Sequence, residues 1–197
     1  MARTVCSTCN YPTTSCVCEH VQHVANQTCV WVLQHPHETS QAKSTVPLLG
    51  LSLNKLRICV GEFPDDFTDV QALLPQHCAL LYPCDNALPL EHLDNAAKTQ
   101  IKHLIVIDGT WGKVHRIWQQ NPWLHSLNAL SFAQVPASRY AIRKANREHS
   151  LSTLEATAYC LEYLERLDAQ PLRVLLDGFV KVQTQHMPAD VKTRYQL

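Results

Sequence analysis

The sequence predicts an α/β fold, a mainly parallel sheet flanked by helices, preceded by a small cysteine-rich knuckle. Three observations carry this reading. Short apolar runs recur about every 20 to 30 residues, more polar and helix-patterned segments separate them, and four of the nine cysteines fall within the first eighteen residues. The chain has 197 residues, 46% apolar and 17% charged. That composition fits one globular domain with a small appendage and excludes a disordered or membrane-spanning chain. No run of about 18 apolar residues exists. The start, MARTVCSTC, lacks the apolar centre of a signal peptide, so a cytoplasmic location is expected.

The first element is Cys6-x2-Cys9-x6-Cys16-x-Cys18. In a reducing compartment a disulfide framework is disfavoured, whereas two close cysteine pairs joined by a Pro-containing loop can place four thiolates around one tetrahedral ion. Zinc is the favoured metal. The segment is too short and polar to bury a core, and a structural zinc site supplies roughly 10 to 16 kcal/mol. Four sulfur ligands close the site, which makes it structural rather than catalytic. The other cysteines, Cys29, Cys59, Cys78, Cys84 and Cys160, sit in apolar surroundings and read as small buried hydrophobes.

Strands are predicted over residues 28–33 (TCVWVL), 56–60 (LRICV), 79–82, 104–107 (LIVI) and, as the weakest candidate, 130–135. The 104–107 run has no polar face, as a strand buried on both sides requires. Helices are predicted over 43–53, 91–100, 110–120, 152–167 and 171–185. The fourth is the clearest, because Ser152-Thr153-Leu154-Glu155 forms a capping box and Leu154, Ala158, Leu161 and Leu164 follow at helical spacing. With five glycines and neither GxGxxG nor GxxxxGK[ST], a Gly-rich nucleotide cradle is absent. No Gly-x-Ser-x-Gly elbow or Cys/His motif points to covalent catalysis.

Four polar clusters lie at strand ends or helix starts. The most informative is Asp108-Gly109-Thr110-Trp111, where the central apolar run stops. In open α/β sheets ligands bind beyond the carboxyl ends of strands, and an acid beside a large aromatic there suits a substrate or cofactor site, although a turn and a helix cap would use the same residues. The second cluster, Gln34-His35-Pro36-His37-Glu38 running to Lys43-Ser44-Thr45, reads as a substrate-contact loop with His35 and Lys43 foremost; H-x-H-E lacks a third metal ligand. The third is Ser138-Arg139-Tyr140 with Arg143, Lys144 and Arg147, types suited to phosphate contacts and base stacking. The fourth is Ser152 to Glu155. Charge is segregated behind a net of zero: residues 61–99 carry seven acids against Lys98. Residues 101–150 carry Lys102, Lys113, Arg116, Arg139, Arg143, Lys144 and Arg147 against Asp108 and Glu148, a surplus of five. Such a segment is the expected footprint of a polyanion.

Taken together, the CxxC…CxC knuckle, HPHE followed by KST, DGTW and RYAIRK…LSTLEA resemble the DTW-domain proteins, the tRNA-uridine aminocarboxypropyltransferases, from about Cys6 to about Leu164. The resemblance implies transfer of the 3-amino-3-carboxypropyl group of S-adenosylmethionine to N3 of a tRNA uridine with release of methylthioadenosine. It also implies a SPOUT-like sheet with a trefoil knot, and a division into a zinc knuckle over 1–25 and a catalytic domain over 26–197. Asp108 would take the N3 proton, orient the uridine or face the sulfonium. Thr110, Trp111, Leu154 and Glu155 would shape the cofactor pocket; Ser138, Arg139 and Tyr140 would line the RNA junction, with Arg143, Lys144 and Arg147 on phosphates. The implied partner is tRNA, not DNA or a membrane, and oligomeric state stays open. A knotted-class RNA methyltransferase and a non-catalytic zinc-containing RNA-binding module are the alternatives.

Overall fold

Six strands align in one sheet, all parallel, in the order β2-β1-β5-β3-β6-β4. They are β1 (Cys29–Gln34), β2 (Leu56–Val60), β3 (Cys78–Leu81), β4 (Leu88–Pro89), β5 (His103–Asp108) and β6 (Asn128–Ser131). The helices are α1 (Val46–Ser52), α2 (Thr68–Gln71), α3 (Asn95–Gln100), α4 (Trp111–Gln120), α5 (Thr153–Glu165) and α6 (Gln170–Thr184), with short 3-10 turns between. This is a computed structural model, and it describes residues 4–142, 150–185 and 187–188. No helix among them is long and apolar enough to cross a membrane.

Alternation along the strands builds two cores. Val30, Val32, Leu104 and Val106 face one side, under α1, α5 and α6 through Leu48, Leu161, Leu172 and Phe179. Leu33, Leu80, Ile105 and Ile107 face the other, under Val114 and Ile117 of α4 together with Phe67. The chain therefore leaves β1 over one face, by α1, and arrives at β3 over the opposite face, past Phe67 and Val70. That reversal opens a crevice at the carboxyl ends of the central strands, where β5 lies between β1 and β3.

All five predicted strands and five predicted helices form, with shifted ends. The fifth strand is shorter and earlier than expected, Asn128–Ser131. The first helix starts at Val46 rather than 43, and the 91–100 segment is a 3-10 turn, Leu90–His92, followed by α3 from its Asp94 cap. Neither α2 nor β4 was expected. A two-residue strand containing a proline, which cannot donate to a ladder, is possible only at the sheet edge that β4 occupies. The isolated cysteines divide: Cys78 and Cys160 are buried, but Cys29, Cys59 and Cys84 are only partly so, a correction to the uniform expectation.

The N-terminal knuckle packs on α6. Val17 and Cys9 join the first core, the Tyr11 and Phe179 ring centroids lie 5.4 Å apart, and Gln185 Nε2 donates to the Thr14 carbonyl at 2.7 Å. Gly178 permits this approach, since a Cβ there would meet His20 Cδ2 at 2.0 Å.

Candidate active site at the end of the central strand

Register pairs Gln34 of β1 with Asp108 of β5, and alternation points both side chains to the α5 face. Asp108 is 8% exposed. Its Oδ2 accepts from Gln34 Nε2 at 3.0 Å, and its Oδ1 accepts from Thr153 Oγ1, the first residue of α5. The Asp108 carbonyl also accepts from the His35 N–H at 3.1 Å, so the chain after β1 is tied to the same point. Donors on both oxygens fix the carboxylate plane. The following glycine is there for space, because a Cβ on Gly109 would meet Lys113 Cβ at 3.1 Å.

Two cavities meet here across Gly109, Ser152 and Thr153. The first, of about 250 Å³, is walled mainly by apolar side chains, including Leu81, Ile107, Leu130, Phe132 and Trp111. The second, of about 320 Å³, is lined by Glu38, Lys43, Thr45, Asp108, Thr110 and Tyr140 among others. An apolar pocket joined to a polar one that holds a buried carboxylate is a suitable receptor for an amphipathic small molecule.

Of the sequence-predicted residues, Asp108, Thr110, Lys43 and Tyr140 line the polar cavity and Trp111, 41% exposed, lines the apolar one. Lys43 Nζ donates to the Ile142 carbonyl at 3.0 Å, and Tyr140 donates its hydroxyl to the Lys43 carbonyl. Leu154 and Glu155 line neither cavity. Leu154 is in the core, its N–H directed at Thr45 Oγ1 at 3.3 Å. Glu155 closes the capping box with Ser152 and also accepts from Ser138 Oγ and the Arg139 N–H, so it ties the segment before α5 to the helix start. Arg139 forms a two-point ion pair with Asp177, which holds its guanidinium even further above the ordinary arginine range. His35 is buried outside the cavities; its Nδ1 accepts from the His37 N–H at 3.1 Å and its Nε2 lies 3.1 Å from Glu62. Arg143, Lys144 and Arg147 lie outside the described residues.

Three of the seven cations of 101–150 are paired in the described structure. Lys113 pairs with Glu38 at 2.7 Å, Arg116 with Glu62 and Arg139 with Asp177, acids drawn from other parts of the chain. Gln34, Glu38, Ser44, Thr45 and Thr153 lie inside the clusters the sequence pointed to but were not singled out there. Gln34 could have been found from period-2 alternation, which puts the last residue of β1 beside the last of β5 once the two strands are aligned.

The four N-terminal cysteines converge. Their Sγ atoms all lie within 4.8 Å of one another, and the Cys6–Cys18 and Cys9–Cys16 pairs are 3.7 Å apart. Tetrahedral zinc with Zn–S of about 2.3 Å sets S···S near about 3.8 Å, so the cluster fits that ion. The N–H groups of Cys9 and Thr8 draw the Cys6 thiol down to about 6, while its hydrogen bond with Cys16 pushes Cys18 up to about 12. Four thiolates this close need a cation before all can ionise. Among the described residues no second such group of histidine, cysteine or acidic side chains occurs.

Comparison with known proteins agrees with this geometry. The DTW domain family matches residues 3–184. The chain is 36% identical over 174 residues to tRNA-uridine aminocarboxypropyltransferase 2 of Drosophila melanogaster, covering 83% of this chain and 67% of the relative. It is 30% identical over 197 residues to the protein of that name from Macaca fascicularis, covering 93% and 65%. For the Mus musculus protein of that name the identity is 29% over 195 residues, with the same coverage. The chain thus spans about two thirds of the length of these relatives. No solved structure gives a significant match. With the family matched along nearly the whole chain and its Asp-Gly-Thr-Trp at the centre of the crevice, the chain belongs to the DTW domain family.

Proposed function

We propose that this protein is a tRNA-uridine aminocarboxypropyltransferase, moving the 3-amino-3-carboxypropyl group of S-adenosylmethionine to N3 of a tRNA uridine. The observation that carries the reading is the buried Asp108 carboxylate, which lines the polar cavity next to Gly109 and is hydrogen-bonded to Thr153, two of the residues this cavity shares with the apolar one. The names of the relatives support it. In the reaction the N3–Cγ bond forms, the Cγ–S bond breaks with its electron pair going to sulfur, and the N3 proton leaves; methylthioadenosine is the second product. Catalysis is mostly alignment, since the sulfonium has three carbons open to attack and the site must present only one to the nucleophile.

Each side chain then has a task. Asp108 accepts the N3–H, orients the uridine and receives the proton as the bond forms. Gln34 and Thr153 keep its two oxygens in place. The apolar cavity, with Trp111, takes the adenosine; Thr110 shapes the passage between the cavities. Ser138, Arg139 and Tyr140 brace the wall on the RNA side, and Arg143, Lys144 and Arg147, which fall outside the described residues, hold phosphates. Residues 1–25, with zinc on Cys6, Cys9, Cys16 and Cys18, form a knuckle that extends this surface from the catalytic domain of 26–197. The trefoil knot implied by the family is a property of a continuous chain path, which between β6 and α5 passes through residues 143–149, outside the described residues.

Chromatography of the small-molecule product tests the reaction. With tRNA and S-adenosylmethionine the protein should release methylthioadenosine; release of S-adenosylhomocysteine instead would make it a methyltransferase and overturn the proposal.

A further inference from the structure

We propose that the polar cavity is the receptor for the amino-acid head of the donor, with Lys43 and the Ser44 and Thr45 hydroxyls facing its carboxylate and Glu38 its ammonium. This rests on the function proposed above and goes beyond it by assigning the residues that select this donor's head group.

The argument is one of charge, position and chemistry. The described cavity lining brings a cation, Lys43, together with the carboxylates of Glu38 and Asp108, the first of them also paired with Lys113. The donor carries a carboxylate, an ammonium and a sulfonium, a sum of +1. A lining that holds charges of both signs and hydroxyls suits a zwitterion. The cavity also adjoins the apolar one across Gly109, Ser152 and Thr153, so a molecule with an adenosine end and an amino-acid end can span both, with its sulfur near the boundary.

The receptor is built rather than incidental. Glu38 is fixed by Lys113 Nζ at 2.7 Å on Oε1, and its side chain is only 16% exposed. Lys43 is anchored through Ile142, and its own carbonyl is clamped by Tyr140. Ser44 and the buried Thr45 follow on the same cavity wall before α1 begins.

Two neutral-sulfur ligands isolate the head group: S-adenosylhomocysteine carries it, and methylthioadenosine lacks it. Titration calorimetry on the full zinc-loaded chain should give tighter binding of S-adenosylhomocysteine by about 10-fold or more, the size expected of charge-assisted hydrogen bonds. Lys43→Met should bring its affinity down to that of methylthioadenosine while leaving methylthioadenosine binding unchanged, which also checks that the variant is folded. Lys43→Arg should restore much of the difference, and Glu38→Gln should remove part of it. Trp111→Ala should weaken both ligands together. Equal affinity of the two ligands for the unmodified protein, or a preference that survives Lys43→Met, would overturn this assignment and leave the proposed reaction standing. Failure of the unmodified protein to bind either ligand would overturn both.

Discussion

Asp108 is held in place by its neighbours, Gln34 and Thr153 among them. A donor on each oxygen orients a buried carboxylate, and removing one of these donors costs a buried hydrogen bond. Gln34→Leu should therefore lower stability by on the order of 1–3 kcal/mol in denaturant titrations. It should also lower kcat for transfer with little change in KM for the donor; a residue with only a structural role would leave kcat per folded molecule unchanged. Much of this site was legible in the sequence. An acid at the end of an apolar run pointed to Asp108, and the polar clusters after β1 and before α5 pointed to the walls. Gln34 and Thr153 were not singled out, because their importance comes from strand register and from a helix start brought in from 45 residues away in sequence. For Glu155, the acid of a capping box, the local task was visible in the sequence, and the structure adds Ser138 and the Arg139 N–H to that task. Among the described residues the histidines form no metal-holding group. Those with described partners work locally, His35 on Glu62, His103 on Trp31 and His115 on Tyr82.

At the scale of elements, strands and long helices were readable because burial on two faces leaves unbroken apolar runs and helical spacing is strong over three turns or more. What the sequence concealed was short: α2 and β4 carry too few residues to show a period. The turn after β2 illustrates how such pieces are held. Asp66 accepts from the N–H groups of Glu62 at 2.8 Å and Phe63 at 2.9 Å, which lowers its carboxyl below the ordinary value of 3.8. A depressed carboxylate stabilises the fold above that value and loses the contribution as pH falls below it. Asp66→Ala should thus be less stable than the unmodified protein at neutral pH, with the gap closing below about pH 3.8 in thermal melts. The turn also sets Glu62 against His35, so its loosening should reach the loop after β1. Between the knuckle and α6 the close contact is Gly178 on His20. Gly178→Ala should cost about 1–3 kcal/mol by overpacking, and amide exchange in residues 6–20 should accelerate if that contact docks the knuckle.

For the whole molecule, the knuckle and the sheet are one structure: Cys9 and Val17 share a core with α5 and α6. If zinc on the four cysteines supplies the binding energy of a structural site, chelation should lower the melting temperature, and Cys9→Ser should abolish the one-to-one zinc content measured by metal analysis. Of the charge pattern read along the chain, Lys113, Arg116 and Arg139 are each met by an acid from elsewhere, while Arg143, Lys144 and Arg147 lie outside the described residues. The fold places its chemistry at one end of the sheet, where a reversal of strand order, a buried acid and two joined cavities coincide. The most direct test of that account is the intact mass of unmodified tRNA after incubation with S-adenosylmethionine and either the unmodified protein or Asp108→Ala. The account predicts a gain equal to one aminocarboxypropyl group with the unmodified protein and a loss of that gain by about 100-fold or more in the folded variant. A methyl gain, no gain on any tRNA, or full activity in Asp108→Ala would contradict it.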